Sequence, residues 1–201
     1  MSSVLGYINE INKRIKIKKI KNNLNLNNIS IISQNCIGGV LYSDCNCRFL
    51  SPTINMFFNA SDFIKFVSNL DYYIKQTPRV EDGESYPIGS FDDGLKLFFM
   101  HYSSCEEALK KWEERKKRIN KDRIFVICTD RDGFNDDDFI KFNSLNYPKA
   151  LFTTNRKWKD HDNCIFVSKY EELDCVPDLI PERDIYFDDM LQNIIKKAYI
   201  K

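Results

Sequence analysis

Two aspartates separated by one residue are the clearest candidates for chemistry in this sequence. Asp130 and Asp132 flank Arg131 in the stretch TDRDG, directly after the short, branched and apolar run RIFVIC. Two carboxylates at this spacing can hold Mg²⁺ or Mn²⁺, because both ions prefer oxygen ligands. Metal-dependent sugar transferases use such a pair to bind a nucleotide diphosphate, where the metal stabilises charge on the leaving phosphate. The alternative is an ordinary turn, since Asp and Gly are common turn formers and Arg131 could pair with the acids.

A cysteine and a histidine form a second possible reactive pair. Cys36 follows an apolar run at residues 29–32, and His101, one of two histidines, lies near the end of the run at residues 95–102. A nucleophilic cysteine needs a helix N-terminus or a nearby base that lowers its thiol pKa, and His101 could be that base. His101 is also the predicted general base of a transferase, because imidazole titrates near neutrality. The alternative for Cys36 is a buried, small apolar side chain.

Polar residues near these groups suit a sugar or a phosphate. The backbone N–H groups of SQNCIGG could cradle a phosphate, although the stretch has neither the Walker lysine nor the pattern G-x-G-x-x-G. Its glycines could instead serve a corner that needs positive φ. An arginine beside the polar bend at Pro52 suits a phosphate, a carboxylate or an ordinary salt bridge. The predicted substrate-binding residues are Ser33, Gln34, Asn35, Gly38, Gly39, Arg48, Ser51, Thr53, Asn55, Tyr102 and Arg131.

Strands and helices that alternate along the chain would position these residues. This order is typical of an α/β, three-layer, mostly parallel (Rossmann-like) sheet with helices on both faces. Ligands bind beyond the carboxyl ends of the strands in such sheets, and the polar clusters follow predicted strands. The predicted strands cover residues 29–33, 86–89, 95–102, 123–128, 149–153 and 164–167, and the predicted helices cover 61–75, 104–119, 136–145 and 185–198.

The N-terminal region differs from the rest in charge. Residues 13–21 (KRIKIKKIK) carry six positive and no negative charges. Apolar residues at spacings of three and four predict a basic amphipathic helix over residues 3–21, which could lie on an anionic membrane surface or dock on the domain. With its linker this helix forms a first segment, residues 1–28, before a single α/β domain at 29–201.

Composition excludes several classes of protein. The net charge of +1 predicts that nucleic acid is not a partner. Seven cysteines without a paired spacing, and no apolar signal-peptide region after Met1, predict reduced thiols and a cytoplasmic location. No apolar run reaches the roughly 18 residues of a membrane-spanning helix.

Five strings together resemble one uncharacterised bacterial family, a domain of unknown function whose members are commonly labelled exopolysaccharide biosynthesis proteins. The strings are ISQNCIGG, RFLSPTINMFF, the HY strand end, KKWEERKKRIN and VI-x-TDRDG, and the resemblance covers about residues 29–167. It implies surface-polysaccharide assembly and a glycan or nucleotide-sugar ligand, but no particular catalytic residues. We therefore expect a transferase of a sugar or a substituted phosphate group. The alternatives are a Cys36/His101-dependent acyl transferase or hydrolase, and a non-catalytic glycan-binding or assembly factor.

Overall fold

The structure, a computed structural model, describes Tyr7, Ile11 and Ile15, residues 24–187 and residues 189–199. The strands within these ranges form two sheets: a parallel sheet in the order β1-β5-β6-β7 and a small antiparallel sheet in the order β2-β3-β4. The α/β prediction is therefore confirmed. The strands are β1 (Ser30–Ser33), β2 (Arg79–Glu81), β3 (Ile88–Ser90), β4 (Lys96–Phe98), β5 (Ile124–Thr129), β6 (Lys149–Thr153) and β7 (Cys164–Phe166).

The described helices lie between and after these strands. The basic helix predicted over residues 3–21 lies outside the described residues except for its three helical members, and so do residues 22 and 23 of the predicted linker. None of the described helices is long and apolar enough to cross a membrane. The α-helices are α1 (Ile37–Asp44), α2 (Ala60–Ser68), α3 (Leu70–Tyr73), α4 (Cys105–Lys116), α5 (Asp136–Ser144), α6 (Arg183–Tyr186) and α7 (Asp189–Tyr199), with 3₁₀ turns at Ser168–Tyr170 and Ile180–Glu182.

Strand β5 shows how the parallel sheet is built. All six of its residues are buried, as expected for a central parallel strand. Because side chains alternate between the two faces of a strand, Val126 and Cys128 join one core cluster while Phe125 and Ile127 join another. Helices α2, α4 and α5 contribute to the first cluster, and α1 and α7 to the second. Between the two clusters, β1 and β5 pair in parallel, with Ser33 opposite Ile127, so their carboxyl ends lie side by side.

The predicted strand at residues 95–102 needs a correction. Only Lys96–Phe98 of this range forms a strand, β4, which pairs with β3 in the small antiparallel sheet. Only residues 91–95 connect these two strands, and a parallel pairing needs a crossover of a dozen or more residues. The connection closes when the Phe91 N–H donates to the carbonyl of Leu95 at 2.9 Å, with Gly94 at φ +84°. Short connection length therefore decides the sheet to which this apolar run belongs.

Helix α1 was not predicted, because two glycines weaken its helical pattern. Neither glycine has positive φ, so the interpretation of SQNCIGG as a corner that needs left-handed backbone is wrong. A Cβ atom on Gly38 would lie 2.9 Å from the Ser33 Cβ and 3.1 Å from the Ile31 Cγ2. Gly38 therefore allows α1 to pack closely against β1, and α1 begins four residues after the carboxyl end of that strand.

Candidate functional site

A cavity of about 760 Å³ opens beyond the carboxyl ends of β1 and β5. Its lining residues fall within five stretches: 35–44, 49–57, 86–101, 131–132 and 178–183. This is where a parallel sheet places a ligand, because loops from neighbouring strands diverge there. The volume lies in the range of small-molecule sites in proteins.

Several predicted site residues meet in this cavity. They come from both sides of the sheet edge: the α1 region after β1, the turn after β5, and the segments before and after the small sheet. The residues are Asn35, Cys36, Gly39, Asn55, His101, Arg131 and Asp132. The clusters after β1 and β5 converge at the sheet edge as expected, whereas His101 follows a strand of the small antiparallel sheet and the predicted cluster at residues 153–157 does not line the cavity.

Asp132 reaches the cavity on a tight turn. Asp132 and Gly133 have φ values of +58° and +85°, and the Phe134 N–H donates to the Arg131 carbonyl at 3.3 Å. Two successive positive φ values with this bond define a type I′ turn. The Ala60 N–H fixes the turn by donating to the Asp132 carbonyl at 3.0 Å. Burial raises the pKa of the Asp132 carboxyl, and the nearby Arg131 charge opposes that effect.

Arg131 provides a half-buried guanidinium at the cavity wall. Its backbone carbonyl accepts a hydrogen bond from the Gln34 Nε2 at 3.4 Å, which fixes the start of the turn. Among the described residues no hydrogen bond or ion pair of its side chain is found. Arg183, the second arginine of the cavity, is instead bound to Asp44, with 2.8 Å between its Nε and the carboxylate Oδ2. Arg131 is therefore the more available cation for an incoming anion.

Two asparagines, Asn35 and Asn55, contribute to the lining of the cavity. Asn35 precedes α1, where its Oδ1 accepts from the Ile37 N–H at 3.2 Å and its Nδ2 donates to the Thr129 Oγ1 at 3.3 Å. Asn55 has φ +62°, a conformation that asparagine tolerates better than most residues. Uncommon backbone conformations concentrate at functional sites, and both Asn55 and Asp132 line this cavity.

His101 lies on the cavity rim, three residues beyond the end of β4. The structure leaves it exposed, and its backbone N–H donates to the Asn55 carbonyl at 3.4 Å. Its neighbour Tyr102 turns away from the cavity and is buried. The Tyr102 hydroxyl donates to the Ile54 carbonyl at 2.7 Å and accepts from Arg115. Arg115 is itself buried, and its Nη1 also donates to the Ile54 carbonyl at 3.0 Å.

Cys36 lines the cavity in a setting that disfavours its thiolate. Burial, with a further contribution from the negative charge of Asp178, raises the pKa of the thiol to about 11. No hydrogen bond between Cys36 and His101 is found in the part of the chain described. A nucleophilic cysteine needs the opposite shift, toward neutral pH.

Asp130 differs from Asp132 because it is buried and fully bonded. Its Oδ1 accepts from the Val176 N–H at 2.7 Å, and its Oδ2 accepts from the Thr154 N–H at 2.8 Å and the Thr153 Oγ1 at 2.9 Å. These bonds tie the ends of β5 and β6 to the segment that leads to Asp178. Asp130 is absent from the cavity lining. It therefore positions a cavity wall.

The predicted metal pair consequently offers the cavity one carboxylate, that of Asp132. Across residues 24–187 and 189–199 no group of three His, Cys, Asp or Glu side chains is close enough to hold a metal ion. Mg²⁺ is often held by one or two protein carboxylates together with substrate phosphates, and Asp132 fits that arrangement. The requirement for Mg²⁺ or Mn²⁺ stays a prediction.

The remaining predicted residues lie in or beside the sheet edge rather than in the cavity. Gln34 is fully buried, and its Oε1 accepts from the Thr129 N–H at 2.9 Å and from the Thr129 Oγ1 at 2.8 Å. The Ser33 N–H donates to the Thr53 Oγ1 at 3.0 Å, and Ser51 and Thr53 share a hydrogen bond at 3.1 Å. Arg48 is exposed and does not line the cavity.

Sequence reasoning missed the aromatic wall of the cavity. The ring of Phe57 stacks on Phe98 with centroids 4.6 Å apart, and Tyr86 packs edge-on against Phe57 at 5.9 Å. Phe57 and Phe98 also exchange two backbone hydrogen bonds, at 3.0 and 2.9 Å. In a sequence such rings are indistinguishable from core residues. The other lining residues that were missed are Val40, Ser43, Asp44, Phe49, Met100, Asp178, Ile180 and Arg183.

Comparison with known proteins identifies the family. The chain is 30% identical over 173 residues to an uncharacterized protein of Haemophilus influenzae (strain ATCC 51907 / DSM 11121 / KW20 / Rd), with 84% of each chain covered. A family described as a domain of unknown function, DUF1919, matches residues 7–201. Neither description states an activity, so the exopolysaccharide setting stays a prediction. The chain belongs to the DUF1919 family.

Proposed function

We propose that this DUF1919 protein is an enzyme of surface-glycan biosynthesis. It transfers a sugar or a substituted phosphate group to a hydroxyl of a glycan intermediate, and the reaction takes place in the cavity beyond β1 and β5. One observation carries the proposal: His101, Arg131 and Asp132 line a single cavity of about 760 Å³ at the carboxyl edge of a parallel sheet. These are groups for moving a proton, binding a phosphate and orienting a hydroxyl.

Arg131 binds the phosphate of the donor. A guanidinium donates paired hydrogen bonds in the geometry that phosphate oxygens accept. Arg183 is already bound to Asp44, whereas the Arg131 side chain has no bonded partner among the described residues. As the bond to the leaving phosphate breaks, charge grows on its oxygens, and a fixed cation at that place stabilises the transition state.

His101 acts as the general base. Its imidazole accepts the proton of the acceptor hydroxyl as the hydroxyl oxygen bonds to the anomeric carbon or the phosphorus of the donor. The bond from that atom to the leaving phosphate oxygen breaks in the same step. His101 is exposed on the cavity rim, so an acceptor can approach it from solvent.

The rest of the lining suits a sugar. Asn35, Asn55 and Asp132 offer amide and carboxylate groups that pair with hydroxyls, and Phe57 and Tyr86 offer apolar ring faces and edges to a pyranose. A mostly apolar wall with a few convergent polar groups is the usual composition of small-molecule sites. If Mg²⁺ or Mn²⁺ is required, Asp132 would hold it against the donor phosphates, where the ion would neutralise leaving-group charge.

The thiol alternative has less support. The raised pKa of Cys36, about 11, leaves its sulfur protonated at neutral pH. A hydrolase or acyl transferase would require a group that removes that proton, and Cys36 and His101 share no hydrogen bond within the described structure. The third possibility, a non-catalytic glycan-binding factor, predicts that ligand binding occurs at the same cavity without turnover.

A melting screen tests the proposal. Nucleoside diphosphates, nucleotide sugars and sugar phosphates are added to the full chain with and without Mn²⁺. A ligand at ~100 times its dissociation constant stabilises the fold by roughly 2.7 kcal/mol, which corresponds to a shift of roughly 5–10 °C for a domain of this size. We expect such a shift in the wild type and in Arg79→Ala, an exposed arginine outside the cavity, and its loss in Arg131→Ala.

The catalytic part of the proposal has a separate readout. With the ligand from the screen and an acceptor glycan, His101→Gln should bind the donor as the wild type does but lose turnover by about 100-fold or more. Equal ligand shifts in Arg131→Ala and the wild type would contradict the binding assignment. Unchanged turnover in His101→Gln would contradict the catalytic one. Binding without any turnover in the wild type would favour the non-catalytic factor.

A further inference from the structure

The N-terminal region presents an apolar stripe to solvent. Tyr7, Ile11 and Ile15 are helical, and their side chains are 70%, 39% and 62% exposed. They recur every four residues, so in a helix of 3.6 residues per turn they fall within an arc of about 80°. A stripe docked on the domain would be covered. The observed exposure favours the surface interpretation of this segment over the docked one.

The sequence around this stripe is the most basic part of the chain. Residues 13–21 carry six positive charges and no negative charge. The whole chain has a net charge of +1, so all residues outside that segment together have a net charge of −5. The cationic character is therefore concentrated next to the exposed stripe rather than spread over the protein.

We propose that the N-terminal segment binds the surface of a membrane that contains anionic lipids. Tyr7, Ile11 and Ile15 enter the boundary between headgroups and acyl chains, and the lysines and Arg14 contact the phosphate headgroups. An amphipathic helix binds membranes through buried apolar area together with attraction between basic residues and anionic lipids. Both contributions are available here, and neither involves the cavity.

The combination of positive charge and an apolar stripe favours an anionic lipid surface over a second copy of the chain or a nucleic acid. A second copy of the chain would bring another +6 segment against the first, which repels it. A nucleic acid would satisfy the positive charges but would leave the apolar stripe in water. An anionic lipid surface supplies a negative layer directly above an apolar one, and so matches both features.

The consequence for activity depends on the proposed function, whereas membrane binding itself does not. A protein held at the membrane surface by its N-terminus would meet acceptors that are carried on lipids. The group transfer proposed above would then act on a lipid-linked glycan intermediate.

Vesicle co-sedimentation of the full chain tests the inference. The probes are vesicles of phosphatidylglycerol mixed with phosphatidylcholine, and vesicles of phosphatidylcholine alone. We expect binding to the anionic vesicles, weakening as salt rises. Replacing Lys16, Lys18 and Lys19 by Gln should reduce affinity by about 100-fold, because each basic residue near an anionic surface contributes about a fivefold factor. Ile11→Asp with Ile15→Asp should reduce it by about tenfold or more.

Matched controls place the same changes elsewhere on the surface. Ile140 is 65% exposed on α5, so Ile140→Asp makes the same chemical change outside the N-terminal segment. Lys110, Lys141 and Lys159 are exposed and serve as the charge control when replaced by Gln. Both controls should bind anionic vesicles as the wild type does. Unchanged melting temperatures would show that the N-terminal variants still fold.

Several results would overturn the inference. These are no binding to anionic vesicles, equal binding to phosphatidylcholine alone, or equal losses in the N-terminal variants and their controls. Self-association of the wild type that Ile11→Asp abolishes, without vesicle binding, would assign the stripe to a second copy. Arg131→Ala separates this inference from the proposed function, because it should lose cavity ligands and keep vesicle binding.

Discussion

Asp130 and Asp132 belong to one short motif, yet they occupy two different environments. Asp130 is 5% exposed, and its oxygens accept hydrogen bonds from two backbone N–H groups and from threonine hydroxyls. Asp132 stands on a type I′ turn at the cavity wall, where burial raises its pKa. The first carboxylate holds strands and a loop together, and the second is available to a ligand. Two carboxylates only two positions apart in the chain thus differ in role: Asp130 is structural, and Asp132 is open to a ligand.

Other polar residues at this edge of the sheet also divide into buried, hydrogen-bonded groups and groups that face the cavity. Ser33, Gln34 and Thr53 are fully buried and bond to the chain, whereas Asn35, Arg131 and His101 face the cavity. Buried polar groups are expected to be hydrogen-bonded, and these are. We therefore expect the buried set to control stability and the cavity set to control the proposed ligand binding. Variants of the two sets should separate these properties.

The largest effect is expected at Asp130. Asp130→Ala leaves the buried N–H groups of Thr154 and Val176 without their acceptor, and each unsatisfied buried donor costs about 1–3 kcal/mol. We expect the free energy of unfolding to fall by about 4 kcal/mol in urea denaturation. The matched variant Asp132→Asn keeps the left-handed backbone and should change stability by less than about 0.5 kcal/mol. Equal losses of stability in both variants would contradict the different roles of the two carboxylates.

The reactivity of Cys36 should be low. With its pKa raised to about 11 from an ordinary value of 9.0, its thiolate fraction at pH 7 is roughly 100-fold below that of a free cysteine. Alkylation by iodoacetamide, followed residue by residue by mass spectrometry, should rise with pH toward a midpoint near 11. Asp178→Asn removes a negative charge that raises this pKa, so it should move the midpoint down. Fast alkylation of Cys36 at neutral pH would instead support the thiol enzyme.

The two glycines of α1 form a close comparison. In Gly38→Ala the new Cβ would lie 2.9 Å from the Ser33 Cβ, an atom that cannot move without its strand. Overpacking of this kind costs about 1–3 kcal/mol. In Gly39→Ala the nearest atom is the Ile54 Cγ2 at 3.4 Å, so stability should change little. Thermal unfolding of both variants tests whether α1 is held close to β1.

The smallest effect is a pH dependence at Asp132. Its folded pKa is raised by burial, so its ionisation disfavours the folded state once the pH exceeds the pKa of the unfolded chain. Asp132→Asn removes that cost, which should be under about 0.5 kcal/mol for a half-buried group. Relative to the wild type, the variant should gain slightly at pH 7 and show no gain below the unfolded pKa. A gain that grows toward acid would contradict the shift.

The fold was largely predictable from the sequence where apolar runs are long or fully buried. Residues 149–153 form β6 as expected, and β1, β5 and β7 differ from their predicted ranges by one or two residues. Helix α1 was not predicted, because glycine lowers helical propensity, although close packing on β1 requires one of its two glycines. The sheet to which β4 belongs was not predicted, because an apolar run does not indicate which strand it pairs with.

The candidate site was predictable only in part. The ends of β1 and β5 indicated the sheet edge that carries Asn35 and Arg131, whereas His101 reaches the same cavity from beyond a strand of the small antiparallel sheet. The sequence could not say which polar side chains turn inward, because that depends on acceptors far along the chain, such as Asp130 for Val176. The sequence also could not show that Phe57 and Tyr86 line a cavity, because aromatic residues of the core look the same in a sequence.

Amide chemical-shift mapping tests the central claim most directly. The full ¹⁵N-labelled chain is titrated with pyrophosphate and then with the ligand found in the melting screen. We expect the largest changes at residues 35–39 and 131–133, and their loss in Arg131→Ala. Changes confined to a different surface, such as the pocket lined by residues 147–149 and 162–163, or to no common surface, would contradict the assignment of the cavity beyond β1 and β5.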